Sequence, residues 1–394
     1  MARSRAPVLV ILFALWDRVD NLALGGVKYA FEIERRLSSV QPLSIVTQRI
    51  GLKGEVPGSS LNRFAGSGAR RIFYYLMLLA VTKAAIANIR RNGASAVASF
   101  GVGWVNDVAA WLASSLTGRK LIMIFYHWPY EGYSAGQVMR AMRAEGRGIL
   151  AAALATIDRM LALRALRSAS LVVTLSEDAR RNLSEMAPAV NAVVVHPGVD
   201  DAFFSGQPER PQSDYHGIAV NRIAPEKGVY DLVDIWSIVV RRRPDARLAV
   251  VGHSTGMLDQ WIAEIRSRGL ERNVVYLGTM SSSGVAAMHR RSKIFLFPSH
   301  REGFGIAVAE AMASGLPVVC YDIPPINEVF RSPGVFFVRE GDRAAFADVV
   351  LRLLDDPTLL EEAGRANAQF AKAFNWDEAA RRFELAVLGE IASK

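Results

Sequence analysis

Cysteine is almost missing from this chain of 394 residues: Cys320 is the one thiol. No internal disulfide can form, a Cys-based zinc site lacks its second thiolate, and the lone thiol suggests a reducing compartment or at least a fold that needs no oxidative staple, the location expected being cytoplasmic. No His-Glu-x-x-His pattern and no Asp-x-Asp triplet occur, so neither a zincin site nor a carboxylate-clamped metal diphosphate is predicted. Gly101-Val-Gly103-Trp-Val-Asn106 begins like a dinucleotide fingerprint but lacks the third glycine, which argues against a nicotinamide cofactor. Long apolar runs are also lacking. Ala6–Trp16 is cut short by Asp17 and Asp20 and reads as a buried first strand, and Lys83 divides Ile72–Ile89, at the short end of what crosses a bilayer.

Hydrophobic residues make up 51% of the chain, enough for two cores and too much for a disordered protein. Charge is unevenly distributed. Residues 1–200 hold 24 Lys+Arg against 13 Asp+Glu, whereas residues 201–394 hold 23 against 25, so the formal charge of +9 is an excess of the first half. Such a half seeks an anionic partner. Nucleic acid is disfavoured because no recognition-helix module or aromatic RNA-binding signature appears. Within Gln137–Arg167, Arg140, Arg143, Arg147, Arg159, Arg164 and Arg167 are interleaved with Met, Leu, Ile and Ala. That pattern suits a helix lying on anionic lipid, and it equally suits a solvated helix face.

Short β-branched runs alternate with longer helical patterns. Val8–Leu15, Leu43–Thr47, Ala96–Phe100, Leu121–Tyr126, Leu171–Leu175 and Asn191–His196 precede a Pro- and Gly-rich linker at 197–214. Gly217–Val220, Leu248–Val251, Val274–Leu277, Ile294–Phe297, Pro317–Cys320 and Gly334–Val338 follow it. Continuous apolar strands separated by helices predict an α/β protein with two doubly wound, Rossmann-like parallel sheets, one in residues 1–200 and one in 201–394. A terminal helix at about 376–394 is expected to pack back on the first domain. Ligands of such sheets bind at the carboxyl ends of the strands, which predicts a cleft between the two domains.

The richest stretch is Phe297-Pro-Ser-His-Arg-Glu302-Gly303-Phe304-Gly305-Ile306-Ala307-Val-Ala-Glu310. A strand ends, two glycines allow a sharp turn and close ligand approach, and a helix then offers its first amides to a diphosphate. Glu302 is placed to accept from sugar hydroxyls and Glu310, one turn into the helix, from a ribose. Read without its spacing, this is an ordinary βα connection. Val220-Asn-Arg222-Ile-Ala-Pro-Glu-Lys227-Gly228 puts two cations in another βα loop, where they serve a leaving diphosphate or are solvated charges. Gly25-Gly26 before Val27-Lys28 is an anion-accommodating turn or a plain helix start. His127 follows a strand and is either a site residue or a packed one.

Seven residues separate Glu302 from Glu310, and this resembles the Glu-x7-Glu signature of retaining glycosyltransferases of the GT-B fold, family 4 type ("glycosyl transferases group 1"). Pro298-Ser299 before it and Glu310-Ala-Met-Ala-Ser-Gly-Leu-Pro-Val-Val319 after it agree. The resemblance covers Gly217 to Asp377 almost throughout, and the first half through its strands, Gly25-Gly26 and His127. It implies Arg222 and Lys227 on the donor diphosphate, with Gly25, Gly26, Gly303, Phe304, Gly305, Ile306, Ala307 and Glu310 around the donor. It also implies His127 on the donor sugar, with no metal ion and no cofactor, the nucleoside diphosphate sugar being a substrate. One departure stands out: where the family has Gly-Gly after Asp322, this chain has Pro324-Pro325, which removes two N–H donors. The expected activity is transfer of a hexose, mannose or glucose, to a lipid-linked or saccharide acceptor, by a peripheral enzyme on an anionic membrane surface. A same-fold phosphorylase or sugar-phosphate synthase, and a non-catalytic membrane-bound partner subunit, are the alternatives.

Overall fold

A computed structural model of the chain describes residues 7–13, 25–46, 68–100, 104–126, 134–144, 148–204, 214–254 and 256–393. It divides into two compact units. The first contains Leu24–His196 and Asp377–Lys394, the second Pro197–Trp376.

The first unit is built on β1 (Val8–Phe13), β2 (Gln41–Val46), β3 (Ala96–Ser99), β4 (Lys120–Phe125), β5 (Leu171–Thr174) and β6 (Ala192–Val194). They pair in parallel in the order β2-β1-β3-β4-β5-β6. The second holds β7 (Tyr215–Val220), β8 (Leu248–Val251), β9 (Val274–Tyr276), β10 (Ser292–Phe297), β11 (Val318–Tyr321) and β12 (Val335–Val338). These run parallel in the order β12-β11-β10-β7-β8-β9. Each of the twelve runs predicted as strands contains a strand within its described residues. They are apolar at nearly every position because helices cover both faces: Leu9 to Leu12 and Ile294 to Phe297 are at most 1% exposed.

Close approach of helix to sheet has visible sequence causes. A Cβ at Gly217 would lie 2.7 Å from Leu296 Cδ1 and 3.1 Å from the Trp236 ring, so the glycine in β7 lets a large indole lie on the sheet. The expected single helical stretch at 137–167 is instead two helices, Ala135–Ala144 and Ile149–Arg167. Gly148 precedes the second with extended backbone (φ −60°, ψ 153°).

The terminal helix Trp376–Ala392 belongs, from Asp377 onward, to the first unit. Its anchor is Glu384, whose Oε1 accepts from the amides of Ser38 (2.8 Å), Ser39 (2.5 Å) and Val40 (3.0 Å) in the turn before β2. Phe383 packs on Phe100 at the end of β3, and Lys120 Nζ reaches the Glu390 carbonyl at 2.6 Å. Burial pushes the Glu384 carboxyl up, but the amides of Ser39, Ser38 and Val40 outweigh it and leave it below the usual carboxylate range.

In the second unit, His289 is 1% exposed between Phe204 and Phe295. Ser314 donates its one hydroxyl proton to the Glu310 carbonyl (2.9 Å), so its oxygen receives Nδ1–H of His289 at 3.0 Å. Nε2 is then the lone-pair nitrogen, buried without a partner among the described residues. Burial, with Arg290 adding to it, pushes this imidazole down to about 3.

Two stability predictions follow the sign of these shifts. Glu384→Ala leaves three amides without an acceptor and is expected to cost about 3 kcal/mol by denaturant unfolding at pH 7. Because the folded pKa is depressed, the wild-type contribution is whole above the ordinary Glu range and is lost as pH falls through the folded value; the variant's acid limb is correspondingly shallower. For His289 the unfolded chain takes up a proton near pH 6.5 and the folded chain only near 3. Stability therefore declines between these values by up to about 1.4 kcal/mol per pH unit, and His289→Gln removes that slope.

Candidate functional site

The order of the second sheet reverses between β7 and β10: β8 and β9 continue on one side of β7, and β10, β11 and β12 on the other. The connections after β7 and β10 therefore depart to opposite faces and open a crevice at the carboxyl ends of these two strands. Arg222 and Lys227 lie in the first connection, Glu302 to Ala307 in the second.

Each connection is shaped by its glycines. After β7, Ile223 N extends the pairing to the His253 carbonyl (2.8 Å), and Pro225–Lys227 form a single 3-10 turn. Gly228 ends that turn in left-handed conformation (φ 65°, ψ 29°). A Cβ there would also fall 1.7 Å from the Pro298 carbonyl oxygen, so no other residue permits the two connections to touch. After β10, Gly305 adopts φ 97°, ψ 51°, and a Cβ would lie 2.6 Å from Ile326 Cδ1. Phe304 is buried against Phe330 and Phe374, in edge-to-face contact with both.

Lys227 and Glu302 meet across this contact. Nζ donates to Glu302 Oε1 at 2.6 Å and to the Arg301 carbonyl at 2.9 Å, and the side chains are 14% and 11% exposed. The Ser299 hydroxyl lies 3.0 Å from the same Oε1. Among the described residues no hydrogen bond reaches Oε2. One backbone and one side-chain link hold the loops in register: His300 N donates to the Glu226 carbonyl at 3.0 Å, and the Ser299 hydroxyl donates to it at 3.3 Å. Arg222 is paired with Glu226 (3.1 Å), both sides more than a third exposed, so that pair is screened and weakly held.

Gly305 opens the helix Ile306–Ala313 with no side-chain cap. Its carbonyl takes the amides of Val308 (2.9 Å) and Ala309 (3.2 Å), whereas those of Ile306 and Ala307 bond to no described residue. First-turn amides of this kind attract anions. Glu310, 8% exposed, stands one turn further on. Nine of the predicted residues thus share one crevice: Arg222, Lys227, Glu302, Gly303, Phe304, Gly305, Ile306, Ala307 and Glu310. Among the described residues no group of three or more His, Cys, Asp or Glu is arranged to hold a metal ion.

Gly25 and Gly26 lie in the first unit, at the start of the helix Gly25–Glu34. The Tyr126 hydroxyl, just past β4, donates to the Gly26 carbonyl at 3.1 Å and fixes that helix start. Nearby Asp107 accepts from Ser99 at 2.7 Å; burial lifts its carboxyl to about 6 against that hydrogen bond. Buried Tyr126 is held well above the ordinary tyrosine range, chiefly by burial and then by Tyr29 and Asp107. His127 lies outside the described residues.

Sequence reasoning missed the network behind the crevice. Asp231, 4% exposed, receives the Tyr321 hydroxyl (2.7 Å) and Arg343 (2.7 and 2.9 Å), and His300 Nε2 stands 3.3 Å from its Oδ2 at ion-pair distance. Asp231 and Arg343 are 112 positions apart, so no local spacing announces them. The signal that was present is His300 itself, two residues before Glu302.

Residues 200–370 match the model of the family described as Glycosyl transferases group 1. A D-inositol 3-phosphate glycosyltransferase of Streptomyces avermitilis is 27% identical over 296 residues, 70% of this chain and 62% of the relative. A phosphatidyl-myo-inositol mannosyltransferase of Mycobacterium leprae is 32% identical over 154 residues, 39% of this chain and 40% of that protein. The chain thus spans less than two thirds of these relatives' length. Among solved structures, sucrose-phosphate synthase from Thermosynechococcus elongatus superposes with a TM-score of 0.77 at 17% identity, covering 98% of this chain and all of that one. Anabaena HepE in complex with UDP and glucose does so at 0.71 and 16%, covering 97% and 100%. At such identities the likeness establishes the fold. The second unit is a Glycosyl transferases group 1 domain, and the two parallel sheets give the chain the GT-B fold.

Proposed function

We propose that the protein is a retaining glycosyltransferase that moves a hexose, mannose or glucose, from a nucleoside diphosphate sugar to a hydroxyl of a lipid-linked or envelope glycan acceptor. The buried Lys227–Glu302 pair beside the uncapped Gly305 helix carries this reading. Breaking the bond between the anomeric carbon and the diphosphate leaves its electron pair, and growing negative charge, on a phosphate oxygen. Lys227, Arg222 and the amides of Ile306 and Ala307 are disposed to stabilise that charge, the largest contribution expected for such a step. These groups take the place a metal ion would have, so we assign a metal-independent reaction. Glu302 Oε2 accepts from a sugar hydroxyl, and Glu310 from the ribose. In a front-face route the acceptor oxygen bonds to the anomeric carbon, its proton passes to the leaving phosphate, and configuration is retained. The names of the relatives, which act on inositol 3-phosphate and phosphatidyl-myo-inositol, support an anionic or lipid acceptor.

We further place the enzyme in the cytoplasm, peripheral to the inner face of the membrane. The helices Gly68–Asn92, Ala135–Ala144 and Ile149–Arg167 together carry ten Lys or Arg and one acid, Asp158. The connections from β2 to β3 and from β4 to β5 advance in the same direction across the sheet, so right-handed crossovers put the first and third of these helices on one face. Tyr75 donates to Asp158 at 3.0 Å between them. Leu76, Leu79, Ile157 and Met160 are each at least 46% exposed there, the apolar complement that a lipid surface would cover. Among the described residues no helix is long and apolar enough to cross a membrane.

Two outcomes are expected. UDP or GDP at one hundred times its Kd stabilises the protein by about 2.7 kcal/mol, and Lys227→Ala or Glu302→Ala lowers kcat for donor-sugar hydrolysis about a hundredfold; unchanged hydrolysis in both variants rejects the site. Flotation with anionic but not neutral vesicles is expected, and Arg164→Glu with Arg167→Glu abolishes it; no flotation of the wild type rejects the membrane assignment.

A further inference from the structure

We infer that His300 is a positioning residue for the Lys227–Glu302 pair, acting by pinning the 298–302 loop to Asp231; the inference rests on the glycosyl-transfer reading above. His300 Nδ1 makes a hydrogen bond with Glu340 Oε1 at 2.7 Å, and Nε2 stands 3.3 Å from Asp231 Oδ2, an ion-pair contact of the protonated ring. The Asp231 carboxylate is rigidly held. Its Oδ1 takes Arg343 Nε (2.9 Å) and Nη2 (2.7 Å), its Oδ2 takes the Tyr321 hydroxyl (2.7 Å), and Arg343 Nη1 is further tied to Asp234 Oδ2 (2.8 Å). The imidazole also rests against the Tyr321 ring, centroid to centroid 5.4 Å. The anchor therefore spans the connections after β7, β10 and β12.

The lever arm is short. Asp231 is four residues beyond Lys227, and His300 is two residues before Glu302. The His300–Asp231 tie thus runs beside the Lys227–Glu302 bond, between the same two segments, with His300 N on the Glu226 carbonyl as a third link. Lys227 has a long flexible stem, and its ammonium is located by two acceptors, Glu302 Oε1 and the Arg301 carbonyl. Both acceptors ride on the loop that His300 pins. Releasing that loop moves both together and displaces the cation from the leaving phosphate, and misplacement of about 1 Å is enough for up to a hundredfold loss in rate.

Side-chain geometry supplies the test. Gln at position 300 can carry an amide N–H to where Nε2 meets Asp231, whereas Asn reaches only toward Glu340. His300→Asn is expected to lower kcat for donor hydrolysis about tenfold or more, with the Kd for UDP or GDP within about threefold of wild type, and His300→Gln to recover most of the loss. In the Lys227→Ala background, His300→Asn is expected to add nothing, because both act through one ammonium. Wild-type kcat in His300→Asn, loss of nucleotide affinity equal to the loss of kcat, or additive effects with Lys227→Ala would each overturn the inference. A wild-type protein that neither binds UDP or GDP nor hydrolyses their sugars instead overturns the underlying glycosyl-transfer reading.

Discussion

The functional unit depends on one backbone contact, the approach of Gly228 to the Pro298 carbonyl. Only a residue without a side chain, and with access to φ 65°, lets the connection after β7 lie directly against the connection after β10. Every polar bond between the two connections assumes that distance. The Glu226 carbonyl reaches His300 N, Ser299 comes within range of both Glu226 and Glu302, and a lysine from one strand end closes on a carboxylate from the other. A methyl group at position 228 would separate the segments and dissolve these bonds together. The glycine is thus a condition of assembly for residues that carry charge, although it carries none.

The electrostatics of the crevice follow from its burial. A lone ammonium or carboxylate at 11–14% exposure would be costly, and pairing with two neighbouring acceptors offsets that cost without making the pair a source of stability. A neutral pair of this kind is poised for exchange. In the proposed reaction an arriving diphosphate would offer Lys227 a second anionic partner, and sharing the ammonium would loosen its hold on Glu302 as a sugar hydroxyl approaches it. On that proposal the cation and the carboxylate serve different parts of one donor. Charge for binding is held locally, as a preset pair and a helix terminus, in a half of the chain whose overall balance is slightly acidic.

How much of this is legible in sequence depends on the range of the interaction. The strands are legible because a parallel sheet covered on both faces demands continuous apolar runs, and Val8–Phe13 or Ser292–Phe297 supply them. Crevice residues are legible because they lie within fourteen consecutive positions from Phe297 and nine from Val220, each a strand, a turn and a helix start. What escapes is tertiary. Nothing near Asp231 announces Arg343, nothing near Ser38 announces Glu384, and the break at Gly148 was hidden by helical periodicity on both sides.

His300 stands at the boundary between these two kinds of information. It lies inside the most readable segment, yet its side chain faces away from the readable chemistry and into the unreadable network. Motif reasoning assigns meaning to the residues at the ends of a spacing and treats the positions between them as filler. Here one such position joins the local motif to a buried carboxylate held by Tyr321 at the end of β11 and Arg343 beyond β12. A short motif can state which groups meet a substrate, but the precision with which they are held is set by contacts distributed across the sheet. The crevice is therefore local in composition and global in geometry, and substitutions far from Lys227 reach it through Asp231.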